Sequence, residues 1–468
     1  MSEKGVNLDP TILREYDIRG IAGGNLNAKG VAAIGRALGT RVARDGGRTA
    51  ALGFDGRLTS PELEEAMADG LAASGLKVFR IGMGPTPMLY YAAHVLDTDL
   101  GVMITGSHNP PEYNGIKMVR RGESVYGNAI RELGRIVAAG DFINAAESGG
   151  EMQARPIIEE YVARLVEDFH AGEKHLTVAW DAGNGSAGEA LEKLTAQLPG
   201  RHVLLNERID GTFPAHHPDP TVEKNLEQLK RTVAAEKCDL GIAFDGDGDR
   251  IGVVDGHGRV LWGDQILVIL AAEILERKPG STIIADVKAS QVFFDEIKRL
   301  GGHALMWKTG HSLIKSKMRE IGAPLAGEMS AHIFFADGYY GYDDALYCAV
   351  RLLTIIGRSG KSLADMRDAM PQMVNTPELR FDCREEIKFR VIDEVAARVA
   401  AMDDVEVTDI DGVRVLNKDG WWLLRASNTQ AVLVARCESK TEEGLGRLKE
   451  TLSAQLKQSG VTAPDFGS

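Results

Sequence analysis

The sequence predicts an α/β protein built from three similar units, followed by a smaller α+β domain. Three observations carry this. Short apolar runs alternate with amphipathic stretches, the order of βαβ units. That order restarts twice, at Thr177-Val-Ala-Trp-Asp181 and at Thr282-Ile-Ile-Ala-Asp286. Beyond Pro371 it gives way to closely spaced strands and a turn of the hairpin kind, Asn417-Lys-Asp419-Gly420. A chain of 468 residues is too long for one core. Breaks in composition place domains at 1–153, 154–256, 257–370 and 371–468, with a linker at 147–155.

In the first unit, residues 13–20 end in a Gly-rich loop that carries Tyr16 and Arg19. Residues 50–55 read as a strand closing on Asp55. Ser60 and Pro61 come next, as N-cap and first residue of a helix that ends near Gly75. A strand is expected at 77–81, a helix from Pro87 to Leu96, and a buried strand at 101–104. That strand delivers Thr105-Gly106-Ser107-His108-Asn109-Pro110 to one turn, and Pro110 and Pro111 block its continuation. The second unit ends its third strand in Asp245-Gly-Asp247-Gly-Asp249-Arg250. The third ends in Gly327-Glu328-Met329-Ser330-Ala331-His332. Three polar turns thus fall at one place in three units, beyond the carboxyl ends of strands, where open α/β sheets bind ligands. In the last domain, Arg425-Ala-Ser427-Asn428-Thr429 groups a guanidinium, hydroxyls and an amide, a set suited to phosphate. Residues 441–459 read as a charged terminal helix.

Composition excludes several classes. Hydrophobic residues make 44% and charged residues 26% of the chain, ordinary for a globular protein. A net charge of −13 argues against nucleic-acid or anionic-membrane partners. The four cysteines show no CxxC spacing, so a disulfide framework or zinc site is not expected and a reducing, cytoplasmic setting is. No apolar run approaches the ~18 residues of a membrane span.

The strongest local signal is Asp245-Gly-Asp247-Gly-Asp249. Three carboxylates on alternate residues repel one another unless a cation holds them, and oxygen donors favour Mg²⁺. An EF-hand is excluded, because Arg250 stands at its glycine position and Gly256 at its twelfth. A phosphate on Ser107 would give such a cation a further oxygen, with Arg250 assisting. Lys117 is expected to return to the Ser107 turn, and a lysine with lowered pKa there would accept a proton. His108 is expected to support the serine or bind phosphate. Glu328 and Ser330 would grip vicinal hydroxyls, with Met329 pointing the other way. His332 is a candidate acid or base, and Lys288 and His311 are expected to line the pocket.

Taken together, the four segments resemble the α-D-phosphohexomutase family, above all its bacterial phosphomannomutase/phosphoglucomutase branch. The resemblance covers nearly the whole chain. It implies three α/β/α mixed-sheet domains and a smaller fourth domain around a central cleft. It also implies reversible phosphoryl transfer between O1 and O6 of mannose and glucose phosphates, through a phosphoserine at Ser107 and a hexose 1,6-bisphosphate. Mg²⁺ would sit on Ser107, Asp245, Asp247 and Asp249. Arg425, Ser427, Asn428 and Thr429 would hold the distal phosphate, with Tyr16 in the substrate-binding set. Lys117, Arg19 and His332 would serve proton transfer and phosphate stabilisation. The expected partners are small hexose phosphates, for a chain acting as a monomer or weak dimer. Phosphoglucosamine mutase is the nearest alternative, although that branch usually has Gln where Met329 stands. A metal-dependent serine phosphatase and a silent sugar-phosphate binder are rivals of other classes. Ala331 stands where the family often has Gly.

Overall fold

A computed structural model describes residues 6–143, 150–427 and 430–466. Its first sheet runs, edge to edge, Ile18–Ile21, Tyr113–Arg120, Leu100–Ile104, Thr49–Phe54, Lys77–Met83 and Met152–Ala154, with Glu123–Ser124 beside Tyr113–Arg120. The middle strands Leu100–Ile104, Thr49–Phe54 and Lys77–Met83 are parallel, and Tyr113–Arg120 is antiparallel to its neighbours. Met152–Ala154 lies inside the segment expected as a linker, yet it adds a parallel strand to Lys77–Met83.

The same plan recurs twice. The second sheet orders Val260–Leu261, Ile251–Asp255, Leu240–Phe244, Thr177–Asp181 and Arg201–Leu205. The third orders His303–Trp307, Thr282–Asp286, Leu325–Gly327, Ile333–Phe335 and Tyr342–Asp343. Register ties the three together. Leu100, Leu240 and Leu325 each pair with the second residue of their unit's opening strand, namely Ala50, Val178 and Ile283. Each of these strands is buried along its length, as the apolar runs require of a strand covered on both faces. The polar turn after each strand therefore emerges at the same edge of its sheet.

Helices pack against the sheets where the apolar periodicity placed them. Ser60–Ala73 starts one residue earlier than expected. Ser60 is not its N-cap: its hydroxyl bonds Asp55 at 2.5 Å, while Thr59 holds the cap position without a side-chain bond. The fourth sheet is antiparallel. It includes Val413–Asn417 and Gly420–Ala426 joined by the expected tight turn, then Val432–Ser439, which is covered by helix Glu442–Gln458.

The last two sheets meet through polar groups. Arg414 donates to the carbonyls of Val287 and Ala289, both at 2.7 Å. Glu438 accepts from Ser290 Oγ and the Gln291 amide, both at 2.9 Å. Among the described residues no helix is long and apolar enough to cross a membrane.

Candidate active site

Ser107 comes after the strand Leu100–Ile104 in a left-handed backbone, with φ of 49°, uncommon for a residue with a Cβ. Its Oγ donates to Asp245 Oδ2 at 3.0 Å and lies 3.2 Å from His108 Nδ1. The serine turn of the first unit and the acidic turn of the second are thus in direct contact.

Asp245, Asp247 and Asp249 are fully buried, and one oxygen of each lies within 4.8 Å of the others. Burial, then the neighbouring carboxylates Asp249 and Asp247, push Asp245 well above the ordinary carboxylate range. Asp247 moves the other way: burial would raise it, but Lys117 holds it low. Asp247 Oδ1 and Asp249 Oδ1 are buried without a hydrogen-bond partner among the described residues. Buried, mutually repelling, partly unsatisfied carboxylate oxygens are the donor set that a hard divalent cation satisfies.

Lys117, on the strand beside Ser107, places Nζ 2.7 Å from Asp247 and 2.5 Å from Asp249. It returns to the serine turn as expected, but the expected lowered pKa is corrected. Burial alone would lower it, yet the two aspartates hold the ammonium well above the usual lysine range. His108 is held well below the ordinary histidine value by burial, then by Arg250 and Arg19. A neutral imidazole beside Ser107 supports the hydroxyl rather than adding charge. Arg19 donates to the Gly106 carbonyl at 3.1 Å and also to Asn109.

The third unit joins at Arg250. Its Nε donates to His332 Nε2 at 2.9 Å, and the two residues form a backbone bridge between the second and third sheets. His332 Nδ1 lies 2.9 Å from Asp343, and its ring stacks 5.5 Å from His311, which in turn lies 6.3 Å from Tyr16. Burial, then Lys315, holds His311 well below the ordinary value. Glu328 is buried and accepts the Gly310 amide at 2.8 Å. Ser330 is half-buried on the same turn. Met329 turns its sulfur to Arg436 of the fourth domain. Ala331 has φ of 64°, so the glycine usual at that position has a backbone reason.

Lys288 was expected to line the pocket. Its ammonium binds Glu378 at 2.9 Å and lies 3.8 Å from the buried Asp286. In the fourth domain, Arg425 pairs with Asp411 at 3.1 Å. Asp411 also accepts the Thr309 amide, and Tyr16 donates to the Thr309 carbonyl at 3.1 Å. Ser427 is buried beside it, and Asn428 and Thr429 lie outside the described residues.

Five residues were missed. Arg57 and Asp55 brace the serine turn from beneath. Thr86, at a helix start, bonds Asp247, Asp343 backs His332, and Asp411 holds Arg425. One signal was available. Asp55, Asp181 and Asp286 each close their unit's opening strand, and Asp55 and Asp286 each accept an amide from the adjacent polar turn, Gly106 and Met329.

Models of the phosphoglucomutase/phosphomannomutase alpha/beta/alpha domains I, II and III match residues 10–144, 159–258 and 262–374. The model of the family's C-terminal domain matches residues 386–455. The chain belongs to the phosphoglucomutase/phosphomannomutase family. A phosphomannomutase/phosphoglucomutase of Pseudomonas aeruginosa is 43% identical over 461 residues, 98% of each chain. A phosphoglucomutase of Neisseria meningitidis is 42% identical, covering 96% of this chain and 98% of that one. The crystal structure of a phosphoglucomutase/phosphomannomutase family protein from Burkholderia thailandensis superposes with a TM-score of 0.92 at 41% identity. It covers 97% of this chain and 99% of its own. Family membership accounts for four domains and for four polar turns brought to a shared region.

Proposed function

We propose that the protein interconverts hexose 1-phosphates and 6-phosphates of glucose and mannose. The observation that carries this is the 3.0 Å contact between the Ser107 hydroxyl and the buried three-aspartate cage. Residues 1–153 would supply the phosphoserine, 154–256 the metal ligands, 257–370 the sugar contacts and 371–468 the phosphate grip. Asp245, Asp247 and Asp249, with the serine phosphate, are suited to hold Mg²⁺. When bound, that ion would draw charge from the transferring phosphoryl group.

In the forward half, the Oγ–P bond of phosphoserine breaks as a sugar hydroxyl oxygen bonds to phosphorus. The hydroxyl proton leaves to a nearby base, and the bisphosphate then returns its other phosphoryl group to Ser107. Lys117, held charged, would stabilise phosphoryl oxygens together with Arg19 and Arg250. His332, braced by Asp343, is the better-placed proton carrier. Glu328 and Ser330 would meet hydroxyls shared by the two sugars, which differ only at carbon 2. Arg425 and Ser427, with Asn428 and Thr429, would grip the non-reacting phosphate. The four cysteines are unpaired buried thiols, which fits a cytoplasmic setting.

The test is a coupled assay on glucose 1-phosphate and mannose 1-phosphate, with Mg²⁺ and catalytic glucose 1,6-bisphosphate. Comparable turnover on both supports the reading, and a hundredfold preference contradicts its dual specificity. A phosphatase would release inorganic phosphate and retain none on Ser107. Strong preference for glucosamine 1-phosphate would favour the phosphoglucosamine branch, which usually has Gln where Met329 stands.

A further inference from the structure

Arg57 is not part of any of the four polar turns, yet it is the most heavily bonded side chain beneath one of them. It lies beyond the strand Thr49–Phe54 in the turn Asp55-Gly56-Arg57 and is 2% exposed. Its Nη2 donates to the carbonyls of Ser107 at 2.8 Å and Asn109 at 2.6 Å. Its Nη1 donates to those of Pro110 at 2.6 Å and Tyr113 at 2.9 Å. Its Nε lies 3.2 Å from Asp55, which also accepts the Gly106 amide at 3.1 Å. One planar fork thus bonds four carbonyls of the loop, of which that of Pro110 also accepts the Tyr113 amide at 3.0 Å.

The grip is sterically closed. A Cβ at Gly106 would overlap the Arg57 guanidinium, and a Cβ at Gly246 would overlap the Ser107 carbonyl. From the second domain, Gly211 packs on the Arg57 backbone and the Phe213 ring stands 5.1 Å from the guanidinium. Ser107 is held left-handed only because these contacts over-determine it.

We propose that Arg57 is a positioning residue for phosphoryl transfer: it fixes the Ser107 backbone so that Oγ faces the aspartate cage across the boundary of the first two domains. Arg57 reaches the carbonyl side of the loop and acts through Ser107, not on the sugar. The proposal rests on Ser107 as the phosphoryl carrier.

The experiment uses the full-length protein. Intact mass first establishes that the wild type takes one phosphate on Ser107 from glucose 1,6-bisphosphate. Absence of that phosphate in the wild type would overturn the reading of Ser107 itself. Given it, R57K keeps the charge but cannot span four carbonyls. We expect kcat and the rate of Ser107 phosphorylation to fall together by about 10- to 100-fold, with KM within threefold. G106A displaces the guanidinium from the opposite side and should reproduce the defect. The double variant should lose little more than either single one, the mark of a shared contact. Ethylguanidine should restore part of the phosphorylation rate to R57A, which a merely structural loss would not allow. Wild-type phosphorylation rates in R57K and G106A would overturn the proposal. So would loss of folding in both, or additive losses without chemical rescue.

Discussion

Replacing Asp245 by Asn separates the two demands on the aspartate cage. The side chains are nearly isosteric. The amide oxygen can still accept the Asp249 and Arg250 amides, bonds of 3.0 and 3.1 Å in the native turn. What is lost is one buried negative charge whose neighbours lie within 4.8 Å. At that outer limit each like-charge pair costs about 3.5 kcal/mol at an effective dielectric of about 20, and more at shorter separations. Lys117 and Arg250 offset much of this, but burial and the two carboxylates outweigh them, since Asp245 is held well above its ordinary value. A net stabilisation of about 1–2 kcal/mol is therefore expected for Asp245→Asn in chelator at pH 7.

The sign comes from linkage. A carboxyl whose native pKa is raised favours the unfolded chain as pH climbs above the unfolded value of 3.8. The advantage of the Asn variant should grow through that window and vanish below it. Saturating Mg²⁺ should reverse the order, because only the wild type gains the full binding energy. Urea unfolding in chelator and in Mg²⁺, across pH, measures all of this, and a coupled assay should show turnover reduced at least 100-fold. An Asn variant less stable than wild type in chelator, or one with near-native turnover, would refute the reasoning.

Other expectations rest on separate contacts. Glu378 is held down at about 2, because Lys288 and Arg380 outweigh its burial. Its pairing should add stability above pH ~4.5 that is lost as pH falls towards that native value, and Glu378→Gln should cost about 2 kcal/mol at pH 7 in urea titrations. His216 bonds Asp181 at 2.8 Å, and that carboxylate outweighs burial to raise its pKa. This contribution is full below pH ~6.5 and lost as pH rises through the raised value, so His216→Asn should destabilise most at the low end of a pH 6–9 unfolding series. Ala331→Gly removes a left-handed alanine and should raise stability by up to about 1 kcal/mol, read as a higher midpoint in urea.

The parts of the molecule that were legible in the sequence are those written locally. The apolar strand before Ser107, the alternate carboxylates of 245–249 and the restarting strand–helix order each lie within a short window. The fourth-domain hairpin was equally plain, with Asn417 paired to Gly420 as its turn residues require. Long-range partners were not legible. Arg57 stands 50 residues from Ser107, and nothing in Asp55-Gly-Arg-Leu says that its fork closes under a distant loop. Asp343 looks like one of two adjacent acids until folding sets it against His332. Lys117 and Lys288 were found as residues, but the state of Lys117 was misjudged and the Glu378 partner of Lys288 was not foreseen. The charge on a buried lysine depends on carboxylates that other segments contribute, Asp247 and Asp249 for one, Glu378 for the other.

The central claim is that a phosphoryl group stored on Ser107 faces a cation held by Asp245, Asp247 and Asp249. The most direct measurement is a single turnover: protein phosphorylated on Ser107 is mixed with glucose 6-phosphate, and intact mass tracks loss of the phosphate over time. The account predicts transfer to the sugar at the rate of steady-state turnover with Mg²⁺ and essentially none in chelator. Transfer at equal rates in both, or a phosphate located on another residue, would contradict it.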